Sequence, residues 1–208
     1  MMVRDLAIVV AAYLLGCVQT GYYLVRVATG QDLRQLGSGA TGARNTGRVL
    51  GKMGFVLALL GDAGKGALAM ALASRLSASP WTPAAALLAV AAGHVWPVQL
   101  RFSGGRGVAV GLGALAVVDL RLLGVLAVTA LLGYGASRRF QASGLVGFAV
   151  LPLAAWQLRL PYETVAGISC LSAVILFAHR RHIVAWLRQP PAHEASAKAL
   201  PPLEGRQK

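Results

Sequence analysis

The run LAIVVAAYLLGCVQTGYYLVRV, positions 6–27, decides the fold. A helix needs about 20 predominantly apolar residues to cross the hydrocarbon of a bilayer, and this run supplies them. A secretory signal peptide also begins with an apolar stretch, but it ends in a small-residue cleavage site. This run lacks a clear one and carries Arg26 near its end, so it reads as a retained spanning helix. Six further apolar runs follow, at roughly 53–73, 83–100, 107–118, 121–136, 144–158 and 163–178. The composition agrees: 56% of the 208 residues are hydrophobic and 13% are charged, against about 25% charged in soluble domains.

These runs predict an all-α, polytopic membrane helical bundle of about seven transmembrane helices over residues 1–188. A single helix over 107–136 would bury Asp119 and Arg121 in hydrocarbon, which is costly. A tight turn between two helices is therefore expected there. The basic residues orient the bundle. Segments 28–52, 101–106, 137–143 and 179–208 together hold 14 of the 20 Lys and Arg residues, and the opposite side holds four. Basic residues retain loops in the cytoplasm, which places the N-terminus outside and the C-terminus inside. Residues 189–208, with Pro190, Pro191, Pro201 and Pro202 among scattered polar side chains, read as a disordered cytoplasmic tail.

The net charge of +13 would suggest a nucleic-acid partner in a soluble chain. Here no basic patch is interleaved with aromatic residues, so no nucleic acid is expected; the charge serves the lipid bilayer and its anionic surface. Cys17 and Cys170 lie inside apolar runs without metal-ligand spacing and read as packing residues.

The chemistry-bearing sequence lies on the inner side. The first loop reads Leu36-Gly37-Ser38-Gly39-Ala40-Thr41-Gly42-Ala43-Arg44-Asn45-Thr46-Gly47-Arg48. Glycine-rich turns present backbone N–H groups to anions, and Arg44 and Arg48 share a face if the stretch is helical. The other reading is a flexible loop whose arginines only set topology. A second stretch, Gly93-His94-Val95-Trp96-Pro97 followed by Arg101-Phe102-Ser103-Gly104-Gly105-Arg106-Gly107-Val108-Ala109, resembles an anion cradle before a helix. His94 reads either as a site residue or as a polar group satisfied by a neighbouring helix. Gly61-Asp62-Ala63-Gly64-Lys65-Gly66 lacks the Ser or Thr and the first glycine of a phosphate-binding P-loop. Asp62 and Lys65 are expected to pair on one helix face, either functionally or as a buried ion pair among glycines that allow close packing. Ser137-Arg138-Arg139-Phe140-Gln141-Ala142-Ser143-Gly144 and His179-Arg180-Arg181-His182-Ile183 complete the inner face.

Together these segments suit a phosphorylated or otherwise anionic substrate. Acid is scarce, which argues against two-metal phosphotransfer, so no metal and no cofactor are expected. No G-x-S-x-G elbow is present, and no His-x4-Asp acyltransferase pair.

In order and spacing, these motifs resemble the bacterial acyl-phosphate-dependent glycerol-3-phosphate acyltransferase family. The resemblance runs through Ser38-Gly39, Gly42-Ala43, Asn45 and Arg48; Gly61-Asp62 with Lys65-Gly66; Gly93-His94 with Pro97; Phe102 and 104–109; Ser143; and His179-Arg180 with Ile183. It implies a seven-pass protein of the bacterial cytoplasmic (inner) membrane with its active site on the cytoplasmic side. It also implies transfer of a fatty acyl group from acyl phosphate to the sn-1 hydroxyl of glycerol 3-phosphate. By the same resemblance Ser38, His94, Ser143 and His179 are catalytic candidates. Gly39, Asn45, Arg48, Gly104, Gly105, Arg106, Gly107 and His182 are phosphate-binding candidates, with Asp62 and Lys65 in support. The chain departs from the family pattern at Ala40 (for Asn), Arg44 (for Thr), Arg106 (for Lys) and His182 (for Asn). A transporter for a small organic phosphate, or an acyltransferase with another donor or acceptor, is the alternative.

Overall fold

A computed structural model describes residues 3–188. Every predicted apolar run forms helix over most of its length. The first run divides into α1 (Val3–Cys17) and α2 (Thr20–Thr29). Then come α3 (Ala43–Leu76), α4 (Trp81–Val95), α5 (Val108–Val118), α6 (Leu120–Ser137), α7 (Phe140–Gln157) and α8 (Tyr162–Ala178). No strand occurs among the described residues. Among the described residues, four segments are each long and apolar enough to cross a membrane: Val3–Thr29, Ala43–Leu76, Trp81–Leu100 and Leu120–Ser137. Residues up to Ala178 form one compact unit. His179 begins a second, of which α9 (Arg180–Leu187) is described; the expected tail at 189–208 lies outside the described residues.

The turn predicted around residue 119 is present. Asp119 ends α5 and caps α6, accepting a hydrogen bond from the Arg121 backbone N–H at 2.8 Å. The Arg121 guanidinium also forks onto the carboxylate. The two charges thus satisfy each other at a helix junction.

Small residues set the helix crossings, as expected where lipid-facing surface gives no hydrophobic drive between helices. α1 packs on α4, α3 on α5, α6 on α7, and α8 on both α4 and α7. Gly16 lies against the Val90 carbonyl and Gly93 against the Tyr13 carbonyl. Gly66 and Gly113 bring α3 and α5 backbones together in the same way. A Cβ at any of these four would collide with backbone atoms. Outward faces stay apolar: Leu131 and Leu132 of α6 are 70% and 71% exposed, a surface suited to acyl chains.

Two breaks position the site. α1 stops at Cys17 and α2 starts at Thr20, freeing carbonyls inside the bundle. α3 is kinked at Gly51, whose φ of 69° and ψ of −163° only glycine adopts readily. Gly47 packs back on Phe55, so residues 43–50 form a short helix folded against the long span.

Candidate functional site

The short helix at 43–50 begins after the glycine-rich loop, and Asn45 organises that loop. Its Nδ2 donates to the carbonyls of Leu36 (2.9 Å), Ala40 (2.9 Å) and Leu33 (3.3 Å). Its Oδ1 accepts the Ser38 N–H at 2.9 Å. A planar amide with two donors and an acceptor does this; a carboxylate could not. Asn45 is 2% exposed, so its polar atoms serve the loop backbone. Gly37 (φ 56°) sits so tightly on Asn45 that a side chain there would strike its Oδ1. Gly39 (φ 72°) donates its N–H to the Leu36 carbonyl at 3.1 Å. Ser38 is held between them, exposed at the loop tip.

The base of the loop is anchored separately. Arg34 forks onto Asp32, with Nε at 3.0 Å and Nη2 at 2.6 Å, and donates to the Leu100 carbonyl at 2.9 Å. It also lies 5.5 Å from the Tyr22 ring centroid. The Arg34 hydrogen bonds, opposed by partial burial, hold the Asp32 carboxyl below the usual carboxylate range. Thr41 then joins the two loops. Its N–H donates to the Gly104 carbonyl at 3.4 Å, and its hydroxyl donates to Gln19 Oε1 at 2.6 Å.

The second loop folds back on the end of α4. Gly104 donates its N–H to the Val95 carbonyl and Gly105 to the His94 carbonyl, at 3.2 and 3.0 Å. The sequence suggested these two N–H groups as an anion cradle. They are committed instead to the α4 terminus, whose last carbonyls need partners. Their lack of a side chain serves close approach: a Cβ on Gly104 would meet Pro97 Cδ at 2.6 Å, and one on Gly105 would meet the His94 ring. Gly107 (φ 82°) opens α5, and its carbonyl accepts from Gly111.

Between the loops lie the cations. Arg48 is exposed and its side chain runs beside Gly37. Arg106 is half-buried, and its guanidinium is pushed below its ordinary pKa by burial first, then by the positive fields of Arg44 and Arg48. The three arginines are thus in electrostatic reach although Arg106 comes from the other loop. Arg44 also donates from Nη1 to Gln141 Oε1 at 3.2 Å, tying the first turn of α7 to this end. Guanidiniums gathered at repulsive range are stabilised by an anion that forks to more than one of them.

Beneath the loops, Lys65 fills the break between α1 and α2. Its ammonium reaches the carbonyls of Gly16 (3.0 Å) and Val18, His94 Nδ1 (3.0 Å) and Asp62 Oδ1 (3.0 Å). An ammonium has three protons for these four acceptors. The Asp62 oxygens accordingly make an ion pair without an aligned hydrogen bond. Gln19 donates to the Gly16 and His94 carbonyls at 3.1 Å each, and Gln99 donates to the Cys17 carbonyl. His94 is 2% exposed; its Nδ1 faces Lys65 and its Nε2 faces Gly105.

The fold therefore brings Ser38, Gly39, Asn45, Arg48, His94, Gly104, Gly105, Arg106 and Gly107 to one end, over Asp62 and Lys65. Ser143 lies in the seam of α6 and α7, donating to the Arg139 carbonyl at 3.0 Å and 3.3 Å from the Ser137 hydroxyl. His179 and His182 belong to the second unit, their ring centroids 6.3 Å apart. Sequence reasoning passed over Gln19, Thr41, Gln99 and the Asp32–Arg34 pair. The available signal was a Gln-Thr step inside an otherwise apolar run.

Known proteins share this pattern. The family model for glycerol-3-phosphate acyltransferase matches residues 6–189. Glycerol-3-phosphate acyltransferase 1 of Desulfitobacterium hafniense (strain Y51) is 47% identical over 179 residues, covering 86% of this chain and 89% of that protein. A glycerol-3-phosphate acyltransferase of Synechococcus sp. (strain JA-3-3Ab) is 41% identical over 175 residues, covering 82% and 84%. The fold is similar to the crystal structure of PlsY (YgiH), an integral membrane glycerol 3-phosphate acyltransferase. In its glycerol 3-phosphate form the TM-score is 0.81 at 28% identity, over 94% of this chain and 99% of that one. In the lysophosphatidic acid form it is 0.78 at 27%, over 88% and 91%.

Proposed function

Because the chain belongs to the glycerol-3-phosphate acyltransferase family, we propose that it moves a fatty acyl group from acyl phosphate to the sn-1 hydroxyl of glycerol 3-phosphate. The products are lysophosphatidic acid and inorganic phosphate, and the reaction begins membrane phospholipid synthesis. The observation that carries this reading is the convergence of Arg48 and Arg106 from two loops pinned together through Thr41 and Gly104. Two phosphate-bearing substrates repel each other, and fixed guanidiniums offset that repulsion with charge-assisted hydrogen bonds.

The chemistry asks little else of the protein. Acyl phosphate is already activated, so the glycerol hydroxyl oxygen attacks its carbonyl carbon directly. The bond from that carbon to the phosphate oxygen breaks, and the hydroxyl proton leaves to a base or to the departing phosphate. Holding the hydroxyl against the carbonyl lowers the barrier entropically. In this reading Ser38, whose backbone N–H is held by Asn45 at the loop tip, donates its hydroxyl to the developing oxyanion. Gly39 and Gly107 shape the loops on either side of the phosphates. His94, with both ring nitrogens turned to protein groups, suits a positioning role behind Gly105. The family resemblance also implies catalytic roles for Ser143 and His179 and a phosphate-binding role for His182. The site faces the cytoplasm of a bacterial inner membrane, with the N-terminus outside, as the 14-to-4 charge split suggests.

The test is an acyl-transfer assay on purified protein, offering acyl phosphate, acyl-CoA and acyl carrier protein in parallel with glycerol 3-phosphate. Product from acyl phosphate alone is the expected result. Product only from another donor corrects the donor, and no product from any donor overturns the reading.

A further inference from the structure

The residue at 44 is where this chain adds charge to the pattern its motifs resemble, an arginine for a threonine. It sits on the short helix at 43–50, one turn before Arg48, and its side chain is exposed. Side chains four apart share a helix face, so both arginines project from the same side of that helix. The helix is aimed by three independent constraints: the kink at Gly51, the packing of Gly47 on Phe55, and the Asn45 bonds to the loop. Arg44 itself is aimed by Gln141, whose Oε1 takes one Nη1 proton and leaves the rest of the fork available for another acceptor. The nearby acids do not neutralise it: Asp32 is forked by Arg34, and Asp62 is buried with Lys65. The field of Arg44 reaches Arg106 more strongly than that of Arg48 does.

We infer that Arg44 is a third phosphate-binding arginine of the active site, held toward the substrates by Gln141, so that two phosphate groups share three guanidiniums. The inference rests on the reaction proposed above. It makes Arg44 a specificity residue at a position where the family pattern this chain resembles has a threonine. An anionic lipid headgroup offers the same phosphate chemistry from another source, so the experiment must separate the two.

Arg44→Thr, Arg44→Lys and Gln141→Ala are compared with the unaltered protein in nanodiscs of phosphatidylcholine alone and of phosphatidylcholine with phosphatidylglycerol. The KM of each substrate, kcat and inhibition by inorganic phosphate are measured, and glycerol 3-phosphate binding is followed by titration calorimetry. A hydrogen bond to a charged group contributes about 1.5–3 kcal/mol, which corresponds to roughly ten- to hundredfold in affinity. Arg44→Thr is expected to raise the KM of one phosphate substrate about tenfold or more in neutral lipid, with a smaller change in kcat, and to weaken inhibition by phosphate. Arg44→Lys should recover part of the loss, since lysine keeps the charge without the fork. Gln141→Ala should raise the same KM by a few fold. An unchanged KM in neutral lipid overturns the inference, whether the variant is silent throughout or altered only when phosphatidylglycerol is present. If the unaltered protein transfers no acyl group, the proposed reaction fails, and the calorimetric comparison still decides the role of Arg44.

Discussion

A Cβ atom on Gly105 would lie 2.7 Å from Cε1 of His94 and closer still to Nε2. The glycine is therefore the surface on which the imidazole rests. The same residue's N–H donates to the His94 carbonyl, so main chain and side chain of one histidine fix one glycine. Arg106 follows immediately. Gly105→Ala is expected to displace the loop by overpacking, which costs about 1–3 kcal/mol. Activity should fall at least tenfold and the melting temperature by several degrees. Adding His94→Ala removes the clash, so the double variant should melt above the sum of the two single effects. Strict additivity in detergent-solubilised protein would refute this contact.

Lys65 ties the broken first helix to the floor of the site. Removing one member of a buried ion pair costs about 3–5 kcal/mol, because the other is left uncompensated. Lys65→Met is expected to destabilise strongly, since it also strips donors from the Gly16 and Val18 carbonyls. Asp62→Asn should be milder, because Asp62 contributes charge without an aligned hydrogen bond. Thermal unfolding of both variants checks the order; equal losses would contradict it.

Asn45 gives a sharper chemical test. Its two N–H protons are shared among three carbonyls, and its oxygen accepts one further bond. Asn45→Asp keeps the size and loses the donors, so it should be at least as damaging as Asn45→Ala. Each lost bond contributes about 1 kcal/mol. Amide hydrogen exchange over 36–41 should accelerate in both variants, and the catalytic rate should fall tenfold or more as Ser38 loses its anchor. An active Asn45→Asp would show that the loop is held by other means.

Much of the architecture was legible because apolar run length is a direct physical requirement of the bilayer. The Asp119–Arg121 turn followed from the same cost, since neither charge is tolerated at mid-membrane. The break after Cys17 was hidden because Gln19 and Thr20 barely interrupt a long apolar run, and the partners of Gln19, Thr41 and His94, are distant in sequence. Gly51 was equally silent, one glycine among 25. The glycines at 104 and 105 illustrate a deeper limit. Composition signals a backbone approached closely, but not by what. Here the approaching group is His94, and the N–H groups serve the end of α4. The cationic end was readable as charge, while the tie from Arg44 to Gln141 depends on how α7 meets the short helix.

The anchor of the first loop should respond to acid in a defined direction. The Arg34 hydrogen bonds hold the Asp32 carboxyl below its ordinary value, with a smaller contribution from the charge of Arg26. A carboxyl with a depressed folded-state pKa adds stability that is fully present above its unfolded value, about 3.9. That stability is lost as pH falls through the folded value. The loop at 32–42 should therefore stay protected at neutral and mildly acidic pH and loosen only below about pH 4. Limited proteolysis at a series of pH values, with an acid-active protease, reads this directly. Asp32→Asn should expose the loop at every pH and flatten the profile. Arg34→Lys should do so partly, because lysine keeps the charge but cannot fork the carboxylate and reach the Leu100 carbonyl together. A loop that loosens instead as pH rises, or an Asp32→Asn variant with the unaltered profile, would mean that Asp32 and Arg34 are not what holds it.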